Sequence, residues 1–461
     1  MPVLLPGPLE VAAALVRLVP SAGFWGKVGF SAARILGGLA LAYALAAALA
    51  WAAAAAPAIR ALLAPPLVAI RATPVACVVV LLLIWAGSAN VSLLAVLLMA
   101  LPGLYFSLEE GLASVDARMS DLLWVHGVRG VRRALALTWP SAQPFVLASS
   151  RAVVGMAWKA GVAAELIGSP LGSIGERIYQ AKLLLDTADL FAWTIVVVAL
   201  SALSERSVLA VLEASASWSF SLALRLGGRR RTDSSSEGTT YVDGTETPAA
   251  VGPRGAMRLE SVVLPHGTAG GNPLALEVPP GGRVCLMGPS GIGKTTLLRV
   301  LAGLSAPAAG KASAPARVSV EFQEARLFRG RSSLDNVMLL ARRDVTERRA
   351  RSLLAELAPG LEPARAASEL SGGQARRVEL ARALLAEGDA VLLDEPFAGL
   401  DDEARERACA VCRRELRGRA LLLATHDARD AALLGARIVR IDAPVRQLGH
   451  TQDDAQTPTK E

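Results

Sequence analysis

Apolar positions are distributed unevenly along the 461 residues. Over residues 1–225 they gather into long runs: Phe30 to Ala55, Pro74 to Gly87, Val91 to Leu108, Phe145 to Gly168 and Leu190 to Leu212. Each approaches the roughly 20 residues that cross a bilayer core, although Pro74 to Gly87 does so only if Arg71 or its predecessors join it. One short run alone reads equally well as a buried core helix. Five within one half of a chain do not. The pattern predicts an all-α polytopic membrane domain of about five transmembrane helices, because lipid offers the backbone no other hydrogen-bond partner. Residues 226–255 lose the apolar period and consist of Gly, Ser, Thr and charge, so they read as a flexible linker. From residue 256 short apolar runs return at Val284–Met287, Val318–Phe322, Ala390–Asp394 and Ala420–Ala424, alternating with helical segments. That predicts an α/β domain on a largely parallel sheet over 256–446. Residues 447–461 read as a disordered polar tail.

Composition averages these two halves. The chain is 52% hydrophobic but only 19% charged, with mean hydropathy +0.41. Soluble domains carry about 25% charge, so a single soluble domain is excluded, and so is general disorder. Four Cys cannot staple a chain of this length. Cys409 and Cys412 form one C-x-x-C with no second pair and no nearby His, which does not read as a zinc or redox site.

The net charge of +7 does not call for nucleic acid. Arginine is dispersed, no basic stripe alternates with aromatics, and aromatics make up 5% of the chain. Basic cytoplasmic loops beside anionic lipid account for the excess. Arg118, Arg129, Arg132 and Arg133 lie between the third and fourth runs, and Arg225 and Arg229 to Arg231 follow the fifth. Both segments therefore read as cytoplasmic, as do Arg60 and Arg71. Five spans then place the N-terminus outside, a placement that Arg17 and Lys27 fit poorly. The opening residues, interrupted by three prolines and lacking a basic start, are not a signal peptide.

The chemistry concentrates in the second half. Gly288, Pro289, Ser290, Gly291, Gly293, Lys294 and Thr295 satisfy G-x-x-x-x-G-K-S/T, between the run Arg283–Met287 and a helix over Thr295–Ala302 that includes Thr296. Such a loop wraps phosphates with backbone N–H groups backed by the helix dipole. Lys294 reaches the outer phosphates and Thr295 holds Mg²⁺. The run Ala390–Asp394 ends in adjacent acids, of which Asp394 suits Mg²⁺ and Glu395 suits a general base toward water.

With Leu370, Ser371, Gly372, Gly373 and Gln374 (LSGGQ) the chain resembles the ATP-binding cassette (ABC) ATPases over about residues 256–445. Asp401 in PFAGLD, His426 in Ala424–Asp427 and Gln323 in Glu321–Glu324 match further motifs of that family, in family order. The resemblance implies an ATPase in which two cassettes sandwich ATP and Mg²⁺. Ser371 and Gly373 of one cassette then contact the γ-phosphate held by Lys294 of the other. Glu395 polarises water, His426 senses the γ-phosphate, and Gln323 joins Thr295 and Asp394 at the metal. Two departures stand out. His266 occupies the place of the aromatic residue that stacks on adenine. The interval from Lys294 to Gln323 is short, which implies a trimmed β hairpin.

Asp121-Leu-Leu-x3-Gly127-x9-Leu137-x-Trp139-Pro140 resembles the EAA coupling loop of type I import permeases, here within 118–140. Asp121 stands for the glutamate, while Gly127 and Pro140 keep their places. Gly127 permits a sharp turn between two short helices that dock on the ATPase near the glutamine loop. Leu5–Val11, Ala163–Gly168 and Asp186–Trp193 are similar to permeases of the nitrate, sulfonate and taurine group. Those have six spans, so the first is expected to be missing or to lie upstream. Lys159 and Glu165 fall inside the fourth run, six residues apart and off a common helix face. Lys159 is a candidate contact for an anionic substrate, with snorkelling or an inter-helix partner as alternatives.

The resemblances imply a fused permease and ATPase subunit of an ABC importer in a bacterial inner membrane. Its cassette is cytoplasmic, and it works as a homodimer or with a paralogous half-transporter. Substrate, a small anion, arrives on a separate extracytoplasmic binding protein. An exporter half-transporter and a membrane-tethered regulatory cassette are the competing readings.

Overall fold

The computed structural model describes residues 6–227, 239–242, 245–248, 255–265 and 273–441. His266, most of the linker and the 447–461 tail lie outside the described residues. In chain order the first half comprises α1 (Pro8–Leu18), α2 (Ala22–Ala55), α3 (Pro57–Ala72), α4 (Val75–Ala86) and α5 (Val91–Ala113). There follow α6 (Ala117–Val125), α7 (Gly130–Arg133), α8 (Trp139–Gly168), α9 (Ile174–Leu183) and α10 (Thr187–Gly227). Residues up to Asp116 and from Gly130 to Ala223 form one compact unit; 117–129 group with the second unit, which runs on from Leu224.

The core of the helical unit lies where α2, α5 and α8 meet, around Ile35, Leu39, Val96, Leu104, Val154 and Trp158. The C-terminal half of the face that α2 buries is alanine: Ala42, Ala46, Ala50 and Ala53 recur at helical spacing. Small side chains let helix backbones approach closely.

Five spans were expected from the apolar runs. Among the described residues, three helices are long and apolar enough to cross a membrane, Ala22–Ala55, Ser88–Ala113 and Thr187–Gly227, or four if α3 and α4 together make one span. Those two helices bend by 106° at their break. Thr73 precedes Pro74 and is held extended, so upstream residues do not lengthen the 12-residue α4 into a straight helix. Helix α8 has the length, at 30 residues, but carries Arg151, Lys159 and Glu165. It continues from α7 through a π-helical turn at Ala134–Thr138, just ahead of Pro140, whose ring nitrogen has no hydrogen to donate.

The second unit holds two sheets. The antiparallel one has the order β2-β1-β6-β3-β4, from β1 (Thr239–Val242), β2 (Thr245–Pro248), β3 (Met257–Val263), β4 (Leu274–Val278) and β6 (Ala309–Ser313). Strands β1 and β2 come from the stretch read as a flexible linker; they form a hairpin on the edge of β6. The parallel sheet has the order β10-β5-β9-β8-β7, from β5 (Arg283–Met287), β7 (Val318–Glu321), β8 (Ala390–Asp394), β9 (Ala420–Ala424) and β10 (Arg437–Arg440). All four of its pairings are parallel. Strands β8 and β9 are buried at every position, as central parallel strands must be. Helices α11 (Lys294–Leu301), α12 (Ser333–Met338), α13 (Glu347–Leu357), α14 (Gly372–Leu385), α15 (Asp402–Glu415) and α16 (Ala428–Leu434) complete the unit. Between Lys294 and Gln323 there are two strands, β6 and β7.

Candidate functional site

Parallel strands carry their C-terminal ends to one edge, and ligands bind there in open α/β sheets. The loop Gly288–Gly293 follows β5, Gln323 follows β7, Asp394 and Glu395 close β8, and His426 follows β9. Because β9 lies between β5 and β8, His426 stands between the glycine loop and the acidic pair. Hydrophobic burial of Leu392, Leu393, Leu422 and Leu423 fixes these ends.

Gly291 and Gly293 adopt φ of 80° and 109°, and Gly293 hands the chain to α11 with Lys294 as its first residue. Lys294 Nζ donates to the carbonyls of Gly288 at 2.7 Å and Pro289 at 3.1 Å, which folds the ammonium over the loop. Pro289 and Ser290 are exposed, while Thr295 and Thr296 are half-buried in the first helical turn. Thr295 Oγ1 donates to Asp394 Oδ2 at 2.7 Å. Burial pushes the Asp394 carboxyl above its usual range, while the Thr295 hydroxyl and Lys294 pull the other way. Two oxygen groups held together in this way suit a hard divalent cation.

Glu395 adopts φ 55°, a left-handed conformation rare outside glycine, and such strain collects at functional positions. Its Oε2 lies 2.9 Å from His426 Nδ1, which ties the imidazole to the carboxylate through that nitrogen. Glu395 is mostly covered and His426 is exposed. The loop carrying His426 is anchored from below: Thr425 donates to Asp430 at 2.7 Å, and Arg405 on α15 pairs with both Asp427 and Asp430. Gln323 is exposed, and its carbonyl accepts from Arg376 at 2.5 Å. Its side chain makes no hydrogen bond to Thr295, Asp394 or Glu395 among the described residues.

Ser371 caps α14: its hydroxyl accepts from Gln374 N at 3.3 Å and Gln374 Oε1 accepts from Ser371 N at 3.1 Å. This capping box spends both polar side chains on the helix start. Leu370 packs on the core behind it. Gly372 and Gly373 are exposed, and a side chain at Gly372 would meet nothing within 4 Å. Asp401 caps α15, accepting from Ala404 N at 2.8 Å.

The 117–129 segment packs on the cassette within the second unit. Gly127 ends α6 in a left-handed turn at φ 66°, letting Val128 N donate back to Leu123 O at 2.8 Å. Arg118 pairs with Glu324 at 2.6 Å, and Asp121 lies 3.5 Å from Arg299 and 3.7 Å from Arg326. His126 donates through Nδ1 to Leu122 O at 2.9 Å, and its Nε2 lies 3.5 Å from Ser319 Oγ. Burial lowers the His126 pKa from 6.5 to about 4.

Several residues near the site carry no sequence motif. Arg440, at the end of β10, shares a cavity of about 280 Å³ with Met287, Gly288, Pro289 and His426. Glu321 is buried with neither carboxylate oxygen hydrogen-bonded; burial first, and Glu379 second, push its pKa well above the usual value. An acid inside an otherwise apolar strand was the available signal for Glu321. Arg440 had none. Burial drives the Cys409 thiol up to about 12 and also raises Cys412 well above the usual thiol range, and both are buried and free.

Of the two charges inside α8, Lys159 is exposed. Glu165 is buried and accepts from Ser31 Oγ at 2.7 Å and Gly175 N at 3.2 Å. Ser31 Oγ in turn accepts from Ile174 N at 2.9 Å. The carboxylate and hydroxyl thus serve the free N–H groups at the start of α9.

Comparison with known proteins gives matches to both halves. The family of inner membrane components of binding-protein-dependent transport systems matches residues 28–214, and the ABC transporter family matches 272–398. The chain is 45% identical over 197 residues to the aliphatic sulfonates import ATP-binding protein SsuB 1 of Frankia alni, covering 41% of this chain and 70% of that protein. It is 43% identical over 175 residues to the SsuB protein of Granulibacter bethesdensis, covering 37% of this chain and 72% of that one. A solved dimeric structure of a bacterial ABC transporter cassette aligns at 25% identity and TM-score 0.36, covering 41% of this chain and 94% of that one.

Proposed function

The chain belongs to the ABC transporter family, and we propose that it imports a small organic anion of the sulfonate class across a bacterial cytoplasmic membrane. It joins a permease half to an ATPase half, and the cassette binds and hydrolyses ATP. Import as the direction rests on the match of residues 28–214 to inner membrane components of binding-protein-dependent transport systems; the segment 117–129, ion-paired to the cassette through Arg118 and Asp121, is the coupling element of that reading. Gly127 and Pro140 bracket the loop that transmits motion. The sulfonate class follows the relatives named above.

In the catalytic cycle the glycine loop and Lys294 hold the outer phosphates, with Ser290 and Thr296 at the mouth and foot of the loop. Thr295 and Asp394 would hold Mg²⁺, with Gln323 as a further oxygen ligand; the ion would supply charge neutralisation on the phosphates. Glu395 takes the proton from the attacking water. His426, oriented by its bond to Glu395, contacts the γ-phosphate. Leu370 to Gln374 and Asp401 face a second cassette. The open space around Gly372 and Gly373 supports this, since nothing within the chain requires glycine there. A second copy of the chain fills the role, and a separate extracytoplasmic binding protein delivers substrate.

The test is reconstitution of the full chain in liposomes with a panel of candidate sulfonate-binding proteins. ATP-dependent accumulation of a labelled alkanesulfonate, with ATPase stimulated by the loaded binding protein, is expected. ATP-dependent outward movement, or ATPase indifferent to every binding protein offered, would overturn import.

A further inference from the structure

We propose that Arg326 is the joint that ties the 117–129 segment to α14, and so carries motion between that segment and the Ser371–Gly373 turn at the head of α14. The proposal rests on the reading of 117–129 as a coupling segment. Arg326 follows Gln323 by three residues and is 7% exposed. Its two halves engage different partners.

The backbone belongs to α14. Arg326 N donates to Glu379 Oε1 at 2.5 Å, and Arg382 Nη1 donates to Arg326 O at 2.5 Å. Glu379 and Arg382 lie on one face of α14 and pair with each other at 3.0 Å. Both are fully buried, so the peptide is clamped on its N–H and C=O sides by a pair that water does not reach.

The side chain belongs to the 117–129 segment. The guanidinium lies over the Phe322 ring at 3.5 Å, and that contact aims it. Its Nη1 donates to the carbonyl of Arg118 at 3.1 Å and lies 3.7 Å from Asp121 Oδ2. Arg299 approaches the same carboxylate from α11, the helix of the glycine loop. Asp121 therefore meets one cation tied to α14 and one tied to the nucleotide loop.

This division makes the role separable. Trimming the Arg326 side chain cuts the link to 117–129 and leaves the backbone clamp in place. Lysine does not replace it, because an ammonium has no planar face to lie on the Phe322 ring while it holds a nitrogen toward Arg118 O and Asp121. A residue that merely fills space would affect folding and nothing else.

The experiment uses the full chain in lipid nanodiscs, carrying Glu395→Gln so that ATP stays bound, and reads hydrogen–deuterium exchange with and without ATP. In the parent, ATP should alter exchange in both 117–129 and 371–376. Arg326→Ala and Arg326→Lys should keep the change at 371–376 and reduce that at 117–129 about tenfold. With Glu395 restored, basal ATPase should stay within about twofold. The charge exchange Asp121→Arg with Arg326→Asp should recover part of the response, which a structural defect would not. A normal ATP response at 117–129 in both Arg326 variants overturns the assignment of Arg326 alone. No response at 117–129 in the parent, with a response at 371–376, overturns the coupling reading beneath it.

Discussion

The interior of the helical unit and the strand ends of the α/β unit use polar groups for opposite ends. In the helical unit Glu165 and Ser31 face inward and close hydrogen bonds that the start of α9 leaves open. In the α/β unit Asp394, Glu395 and His426 sit at strand ends and are supported by the structure without being consumed by it. Packing differs in parallel. The α/β core is filled by large aliphatics such as Val391, Leu393, Leu421 and Leu423, whose removal from water drives folding. The C-terminal half of the α2 face is filled by alanines, since lipid is as apolar as leucine and close approach is what remains to be gained. The Glu165–Ser31 pair is therefore architecture, as is the Glu379–Arg382 pair of α14, while the groups at the strand ends are available for chemistry.

The sharpest test of that contrast is Glu395→Gln. Removing a general base should lower the turnover rate by about 10²–10⁴-fold while ATP binding and thermal stability persist. Turnover near the parent rate in single-cycle hydrolysis would return Glu395 to architecture. Next in size is Gly373→Asp. Only the tip of Arg377 lies near that position, so folding should be unaffected, within about 0.5 kcal/mol. A carboxylate facing a partner's phosphates should nevertheless cut ATPase about tenfold or more. Full activity would mean that no phosphate comes to this turn.

Glu165→Ala should do the reverse of Glu395→Gln. It strands the N–H groups at the start of α9, so thermal unfolding of the helical unit should lose about 1–3 kcal/mol with the basal ATPase rate intact. An unchanged melting profile would remove the anchor from the comparison. The last prediction concerns His126 and acts only through pH. Its folded pKa of about 4 lies below the usual 6.5, so only the released ring takes up a proton between those values. Docking of 117–129 should therefore hold above pH 6.5 and weaken as pH falls toward 4, by no more than about tenfold per pH unit. Proteolytic sensitivity of 117–129 should follow that window, and His126→Gln should flatten it.

The strands β5, β8 and β9 were legible almost to the residue, because uninterrupted apolar runs bounded by turn residues have few alternatives. The glycine loop was legible for a stricter reason: phosphate binding fixes residue types at fixed spacing, so the pattern survives without neighbours. The spans were harder. Arg151, Lys159 and Glu165 make α8 look less like a span than its 30-residue length does, and the bend between α3 and α4 depends on Pro74 and its predecessor. The linker strands β1 and β2 were missed since they carry no apolar period; their hydrogen bonds are supplied by β6, far along the chain.

The sequence by itself determined which chemistry the chain carries. Lys294, Thr295, Asp394, Glu395 and the Leu370–Gln374 motif declare themselves locally, through identity and order. Only the tertiary structure decided which distant groups meet. Nothing near Arg326 in the sequence points to Asp121 on one side and Glu379 on the other. Nothing near Glu165 points to Ser31 and α9. Local chemistry is written in adjacent residues because backbone geometry fixes their spacing. Partnership across hundreds of residues is set by packing, which one dimension of sequence does not record.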